Sequence, residues 1–417
     1  MKETTYKQTE VGLIPSDWDI FLLDELATKI GSGITPTGGS TVYKEDGRPF
    51  IRSQNIGWGN LLLDDIAFID DETHQTFPNT EIKINDVFLN ISGASIGRSS
   101  FANEKLVGGN VNQHVCIIRV IDKKLNPNYL NLFLLSKNGQ KQIDSFQSGG
   151  NRQGLNIGQI KSFQIPIPPT LEEQTAIATA LSDADALISS LEKLIAKKRM
   201  IKQGAMQQLL QPKEGWEVKK LPELVWFQEG PGVRNSQFTS SGVKLLNGTN
   251  IEDGKLILEK TDRYISEKEA YGWYSHFLVN EGDILIACSG VTIDRFDEKV
   301  TVADSTHLPL CMNTSTMRFK IISKDLSKSY FLHFLKSKSF KEQIGGKATG
   351  SAQLNFGPSH VKMVDLNLPT LTEQENISSI LSDMDAEINA LETKLEKYRK
   401  VKLGMMQNLL TGKIRLI

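Results

Sequence analysis

Apolar residues in two stretches of the chain recur at alternating intervals of four and three. In the later stretch they run Ile377, Leu381, Met384, Ile388, Leu391, Leu395 and Tyr398, followed by Lys402, Met405 and Leu409. The earlier stretch gives Ile177, Leu181, Ala184, Ile188, Leu191 and Ile195, meets Lys198 and Lys202, and resumes at Ala205 and Leu209. This alternation predicts two long helices whose narrow apolar stripe serves as a coiled-coil seam, with a polar break at the same place in both. Packing of each helix on its own domain is the plainer alternative. A stripe this long and narrow suits another helix better.

The two stretches are copies. Residues 169–213 align with 369–413 at a constant offset of 200, without a gap and with 23 identities in 45 positions. Thr170 with Glu173, and Thr370 with Glu373, fit the capping box that satisfies free N–H groups at a helix start. Pro212 and Gly412 mark the far ends. About 40 residues lie between, roughly 60 Å of helix.

The regions before each helix correspond more weakly. INDVFLNISGASIGR (84–98) resembles NEGDILIACSGVTIDR (280–295), NPNYLNLFLLSKNGQKQI (126–143) resembles LSKSYFLHFLKSKSFKEQI (326–344), and SGGNRQGLNIG (148–158) resembles TGSAQLNFG (349–357). Residues 31–43 have no visible counterpart in 229–238. Stretches such as DVFLNIS read as strand and YLNLFLLS as helix. The expected fold is therefore α+β: two mixed α/β domains, 1–168 and 213–368, with long helices at 169–212 and 369–417 that pair antiparallel, in an internal pseudo-twofold repeat. Such pairing would carry the domains at opposite ends of a rod.

Composition narrows the class. At 39% hydrophobic and 23% charged, the 417-residue chain reads as globular and too apolar for disorder. No apolar run reaches the roughly 18 residues of a membrane helix. The polar, acid-bearing start MKETTYKQTE is unlike a secretory signal, so a cytoplasmic location is expected. Cys116, Cys288 and Cys311 form no CxxC pair and suit buried apolar positions. The net charge of −1 excludes a whole-surface polyelectrolyte binder but leaves room for local basic patches. Lys123–Lys161 holds six bases against one acid, and Lys320–Lys347 seven against two.

No motif carries catalysis. There is no phosphate-binding GxxxxGK[ST] loop, G-x-S-x-G elbow or HExxH pair, and the six histidines stand at no metal-ligand spacing. NPNY at 126–129 lacks the second proline of a methyltransferase base-holding loop and reads as a helix-start turn; Glu81 and Lys83 in EIK are no better as a nuclease site. No metal or cofactor is expected in this chain.

YKQTEVGLIPSDW near the N-terminus, the two PTL[ET]EQ helix starts with their preceding IPIPP and LNLP segments, and the GxMQxLL ends at 204–210 and 404–410 resemble the specificity subunit of type I restriction–modification enzymes. The resemblance covers essentially the whole chain. It implies two target-recognition domains, each reading half of a bipartite double-stranded DNA site, on a helical frame that docks two modification subunits and restriction subunits. S-adenosylmethionine, ATP and Mg2+ would belong to those partners. The tandem four-residue repeat that sets spacer length in some members is absent, which leaves the spacer unread.

The repeat also divides the labour. If the halves read different sequences, positions identical in both are not the discriminating base readers. Ser92-Gly93 with Ser289-Gly290, Arg98 with Arg295, and Leu155-Asn156 with Leu354-Asn355 are thus expected as scaffold or phosphate contacts. Base readers should lie in the unmatched loops, with Gln54, Asn112, Gln113, Arg152 and Gln153 as candidates in the first half. Arg234, Asn235, Asn247 and Gln353 are the candidates in the second, and Arg98, Arg295 and Lys347 complete the DNA-binding set. A subunit-docking face is expected at the helix ends: Glu173, Gln174, Met206, Leu209, Glu373, Gln374, Met406 and Leu409. An ordinary solvated loop accounts for these polar residues equally well. A stand-alone scaffold and a self-sufficient nuclease–methyltransferase remain open at this level.

Overall fold

The computed structural model describes residues 5–147, 154–292, 295–345 and 353–416, without the side chains of Lys260 and Gln353. The chain divides into two compact units, 1–192 with 393–417 and 193–392. Each unit thus holds one globular domain together with half of each long helix.

In the first unit the chain forms β1 (Asp19–Leu22), β2 (Ala27–Ser32), β3 (Arg48–Ile51), β4 (Ala67–Ile69), β5 (Val87–Asn90), β6 (Ser99–Phe101), β7 (Asn110–Val111) and β8 (Val115–Val120). Helices α1 (Pro127–Leu135) and α2 (Lys137–Ser145), strand β9 (Gln164–Ile167) and the long α3 (Leu171–Leu209) follow. An antiparallel sheet of order β2-β8-β5-β6 is the centre, beside a smaller sheet β4-β3-β7 and the pair β9-β1. Alternation along the central strands sends Val87, Leu89, Cys116 and Ile118 into one core with Tyr129, Phe133, Ile177, Leu181 and Leu409. Phe88, Val115 and Ile117 face the other way, onto Ile51, Ile82, Leu106 and Val111.

The second unit repeats this order with β10 (Glu217–Lys220), β11 (Val225–Glu229), β12 (Val243–Leu246), β13 (Tyr264–Ile265), β14 (Ile284–Ala287), β15 (Val300–Val302), β16 (Leu310–Met312), β17 (Thr316–Ile321), α4 (Lys328–Leu335), α5 (Lys338–Gly345), β18 (Asp365–Leu368) and α6 (Leu371–Leu409). Its central sheet is β11-β17-β14-β15, its smaller sheet β13-β12-β16, and its strand pair β10-β18. In both smaller sheets the innermost pairing is parallel, β3 with β7 and β12 with β16.

Both long helices run 39 residues, about 58 Å at 1.5 Å per residue. Within each unit their halves run antiparallel. In the first, Lys402 reaches Asp185 and Arg399 reaches Glu192 at 2.7 Å. In the second, Lys202 reaches Asp385, Lys198 reaches Glu387 at 2.6 Å and Arg199 reaches Glu392 at 2.6 Å. The polar break in the seam is therefore a set of cross-helix ion pairs, in which each lysine turns its ammonium to a carboxylate on the facing helix.

The helix starts differ from a full capping box. Thr170 and Thr370 accept the N–H of Glu173 and Glu373 at 3.2 and 3.3 Å. The reciprocal half is missing, because both glutamates are engaged by cations elsewhere. Arg415 grips both oxygens of Glu173 and also Asp17. Lys213 and the Trp216 indole N–H hold Glu373 at 2.9 and 3.0 Å. At the end of α6, Gly412 takes a left-handed φ of 67°, and a Cβ there would stand 2.4 Å from Pro15.

Two further devices recur. Gln142 and Gln343 each form a reciprocal pair with a strand backbone, Gln142 with Gln164 and Gln343 with Asp365. Asp86 is fully buried against Arg119, with oxygens at 2.7 and 2.8 Å from the guanidinium, and Asp283 meets Arg318 at 3.2 Å. These four positions carry no local motif, which is why reading the sequence missed the pairs.

Candidate DNA interface

Antiparallel order brings four strand ends together at one end of each central sheet. In the first unit these are the exit of β2 at Gly33, the exit of β5 at Ser92, the start of β6 at Arg98 and the turn before β8 at Asn112–His114. The turn after β3 joins them, because Asn90 donates its amide to the Ser53 carbonyl at 2.8 Å. Strand β8 leads away from this end, and its six residues span about 20 Å before the chain reaches Lys124 and Asn126, where α3 is bolted on.

The cluster gathers Gln54, Arg98, Asn112 and Gln113. Gln54 is exposed and donates to Asp65, which also holds Arg52 at 3.3 Å. Gln113 is exposed on the turn. Asn112 is buried, and its side-chain oxygen accepts the His114 N–H at 3.1 Å, so it shapes the turn. Arg98 is half-buried with its Nε unpartnered among the described residues. His114, absent from the expected set, binds the Ser92 hydroxyl through Nδ1.

The second unit builds the same end from Gly230, Asn247–Asn250, Cys288–Ser289 and Asn313–Ser315. Asn313 donates to Asn247 at 3.0 Å, and the Gly248 N–H reaches the Ser315 hydroxyl at 2.9 Å. Asn247 is thus drawn into the framework. Arg234 and Asn235 are exposed on the loop that leaves Gly230, with the Arg234 N–H fixed to Gln237 at 3.0 Å. Gly230 and Gly33 do the same work in loops that look unrelated: a Cβ would stand 2.3 Å from the Asn313 carbonyl oxygen in one and 1.8 Å from that of Val111 in the other. Arg152, Gln153 and Lys347 lie outside the described residues; Gln353 pairs through its backbone with Thr292.

Structure corrects two of the matched positions. Leu155 donates its N–H to the Ile91 carbonyl, whereas in the second unit Phe356, not Leu354, donates to Cys288. The match therefore slips by two residues, and Asn156 corresponds to Gly357. Each starts a short helix, with Gln159 or His360 closing the cap. Asn355 instead binds Ser289 and the Gly290 N–H, both at 2.9 Å. The hairpin joining β14 to β15 is also longer than that joining β5 to β6, so Lys299, which precedes β15, stands where Arg98 does. Arg295 lies on the longer hairpin and is paired with Glu298 at 2.7 Å.

The expected docking set is used inside the chain. Glu173, Gln174, Gln374 and Leu409 are buried. Gln174 bonds the backbone of Asn126 and Lys124, and Gln374 that of Ser327 and Asp325. Met406 and Leu409 pack into the core of the first unit, Met206 and Leu209 into that of the second. Glu373 is held by Lys213 and Trp216, as above. Three lysines of the basic segments are engaged within the chain. Lys124 reaches the Glu25 carbonyl, Lys161 pairs with Asp24 at 3.1 Å, and Lys320 leans on Asp283 at 3.5 Å.

Among the described residues no cluster of His, Cys, Asp or Glu is placed to hold a metal ion, and no helix is long and apolar enough to cross a membrane. The three cysteines are buried, their thiols pushed up to about 12 by loss of solvent.

The model of the type I restriction modification DNA specificity domain matches residues 15–199 and again 213–398. The chain belongs to this family. It is a DNA specificity subunit, a non-catalytic component of a type I restriction–modification system, and the two matches follow its internal repeat. The MjaVIII specificity subunit of Methanocaldococcus jannaschii is 26% identical, over 99% of this chain and 97% of that one. A chain from a structure of type I restriction–modification complex assembly and conformational transition shares the fold at a TM-score of 0.63, with 15% identity over 96% of this chain and 99% of its own. The S subunit of M. genitalium does so at 0.54, with 15% identity over 94% and 96%.

Proposed function

We propose that each domain reads one half of a bipartite double-stranded DNA site with the loops gathered at the end of its central sheet. One observation carries this reading. The same turns meet at the same sheet end in both units, their buried framework residues match, and their exposed polar residues differ. Asn112 and Asn313 are both buried in the turn, while exposed Gln54 faces Thr249 in the match and exposed Gln113 faces Thr314. A common frame with divergent tips is what two readers of different sequences need. Ser92-Gly93 and Ser289-Gly290 are the shared tips. Both glycines have left-handed φ, 73° and 70°, and open space where a Cβ would be, which suits close approach to a phosphate.

The helices serve as frame and dock. With the helix ends engaged in the chain's own cores, docking of modification and restriction subunits falls to the outward faces, where Met200 and Ile201 on α3 and Val401 and Leu403 on α6 stand exposed. Two modification subunits supply S-adenosylmethionine chemistry, and restriction subunits supply ATP and Mg2+ chemistry, in the cytoplasm. The test is a salt-titrated binding measurement on the complex with modification subunits. Cognate DNA is expected to remain preferred as salt rises, with both affinities falling steeply. A complex without sequence preference at any ionic strength overturns the reading.

A further inference from the structure

On the reading that this sheet end contacts bases, we propose that His114 is a positioning residue: it fixes which way the Gln113 amide faces, and so which base the exposed edge of Gln113 accepts. His114 is held through both its backbone and its ring. Its backbone N–H donates to Asn112 at 3.1 Å, its carbonyl accepts from Ile91 at 3.0 Å, and its ring Nδ1 meets the Ser92 hydroxyl. The remaining ring nitrogen, Nε2, lies 3.4 Å from Nε2 of Gln113. Gln113 is otherwise exposed, on a turn shaped by the buried Asn112.

With the Gln113 amide nitrogen turned towards the ring, the hydrogen-bond roles follow. A glutamine Nε2 carries only donors, so the imidazole nitrogen facing it must accept. The ring proton then sits on Nδ1 and is donated to Ser92, whose hydroxyl takes either role. Gln113 keeps its Oε1 and its second N–H free, side by side. That acceptor–donor pair is complementary to N6 and N7 of adenine in the major groove. A donor in place of the imidazole acceptor would turn the amide round and exchange the two groups. The second unit has no such relay: the matching residues are Thr314 and Ser315, and the Ser315 hydroxyl accepts from the Gly248 N–H. The device is specific to the first domain, as a sequence-discriminating element should be.

The experiment profiles the assembled complex against a DNA library randomised through both half-sites. His114→Gln places an amide oxygen near the former Nε2 and is expected to keep the wild-type profile. His114→Leu should lower discrimination about tenfold at one base pair of one half-site, and His114→Lys should change the preferred base there. Gln113→Ala should lose preference at that same base pair. Wild-type profiles for both His114→Leu and His114→Lys, or an equal loss at every position, overturn the positioning role. If Gln113→Ala also leaves the profile unchanged, the reading of this surface fails with it.

Discussion

Gln174 clamps the backbone of Asn126: its side-chain oxygen accepts the Asn126 N–H at 2.8 Å while its amide nitrogen donates to the Lys124 carbonyl at 3.1 Å. Gln374 does the same to Ser327 and Asp325 at 2.7 Å each. The EQ of both helix starts is therefore the bolt between helix and domain. Replacing Gln174 by Ala removes the partner of a part-buried backbone donor and acceptor, a loss of about 1–2 kcal/mol. Urea denaturation of the full chain should show it, with Gln174→Glu restoring only the accepting half.

Arg415 ties the last residues of the chain to the first domain through Glu173 and Asp17. Because Glu173 is fully buried, losing its cation strands a charge in the core. Arg415→Ala should destabilise the first unit by about 3 kcal/mol, and Arg415→Ala with Glu173→Gln should recover much of it. Equal melting of single and double variants would contradict this.

Gly33 is a second point of sensitivity. A methyl group there would stand 1.8 Å from the Val111 carbonyl oxygen and 2.7 Å from that of Asn112, both backbone atoms. Gly33→Ala should cost about 2–4 kcal/mol and perturb DNA discrimination in the first half-site alone, whereas Gly31→Ala, with open space, should be neutral in both measurements.

His333 carries a pH dependence. Burial, with Lys202 and Lys336 adding to it against Asp385, depresses its pKa to about 4. The unfolded chain then binds the proton more readily than the folded one, so stability falls as pH drops from about 6.5 towards 4. Leu132 occupies the matching place in the first unit, fixed by the Tyr129 and Tyr330 hydroxyls that each bond a strand carbonyl. His333→Leu should remove a loss of about 2 kcal/mol between pH 7 and pH 5, measured by urea denaturation at both.

The frame was the legible part of the sequence. Ile177 to Leu209 and Ile377 to Leu409 spell their helices because a 39-residue amphipathic element repeats its period many times. The smaller sheets were not legible, since strands of two to four residues such as Tyr264–Ile265 show no alternation. Arg119 and Asp86 meet only through strand register, which the sequence does not display. At the interface, reading motifs letter by letter paired Leu155 with Leu354, where the hydrogen-bond ladder pairs it with Phe356. The burial of Glu173 and Gln174 is equally hidden in the sequence: polar residues at a helix start look exposed until a partner from elsewhere in the chain covers them.

If two independent readers share one frame, the methylated bases of the host genome show it most directly. Cells carrying the wild-type chain should show a bipartite methylated motif. Gln54→Ala with Gln113→Ala should alter one half of it, and Arg234→Ala with Asn235→Ala only the other. Changes in both halves from either pair, or an unaltered motif from both, would contradict the account.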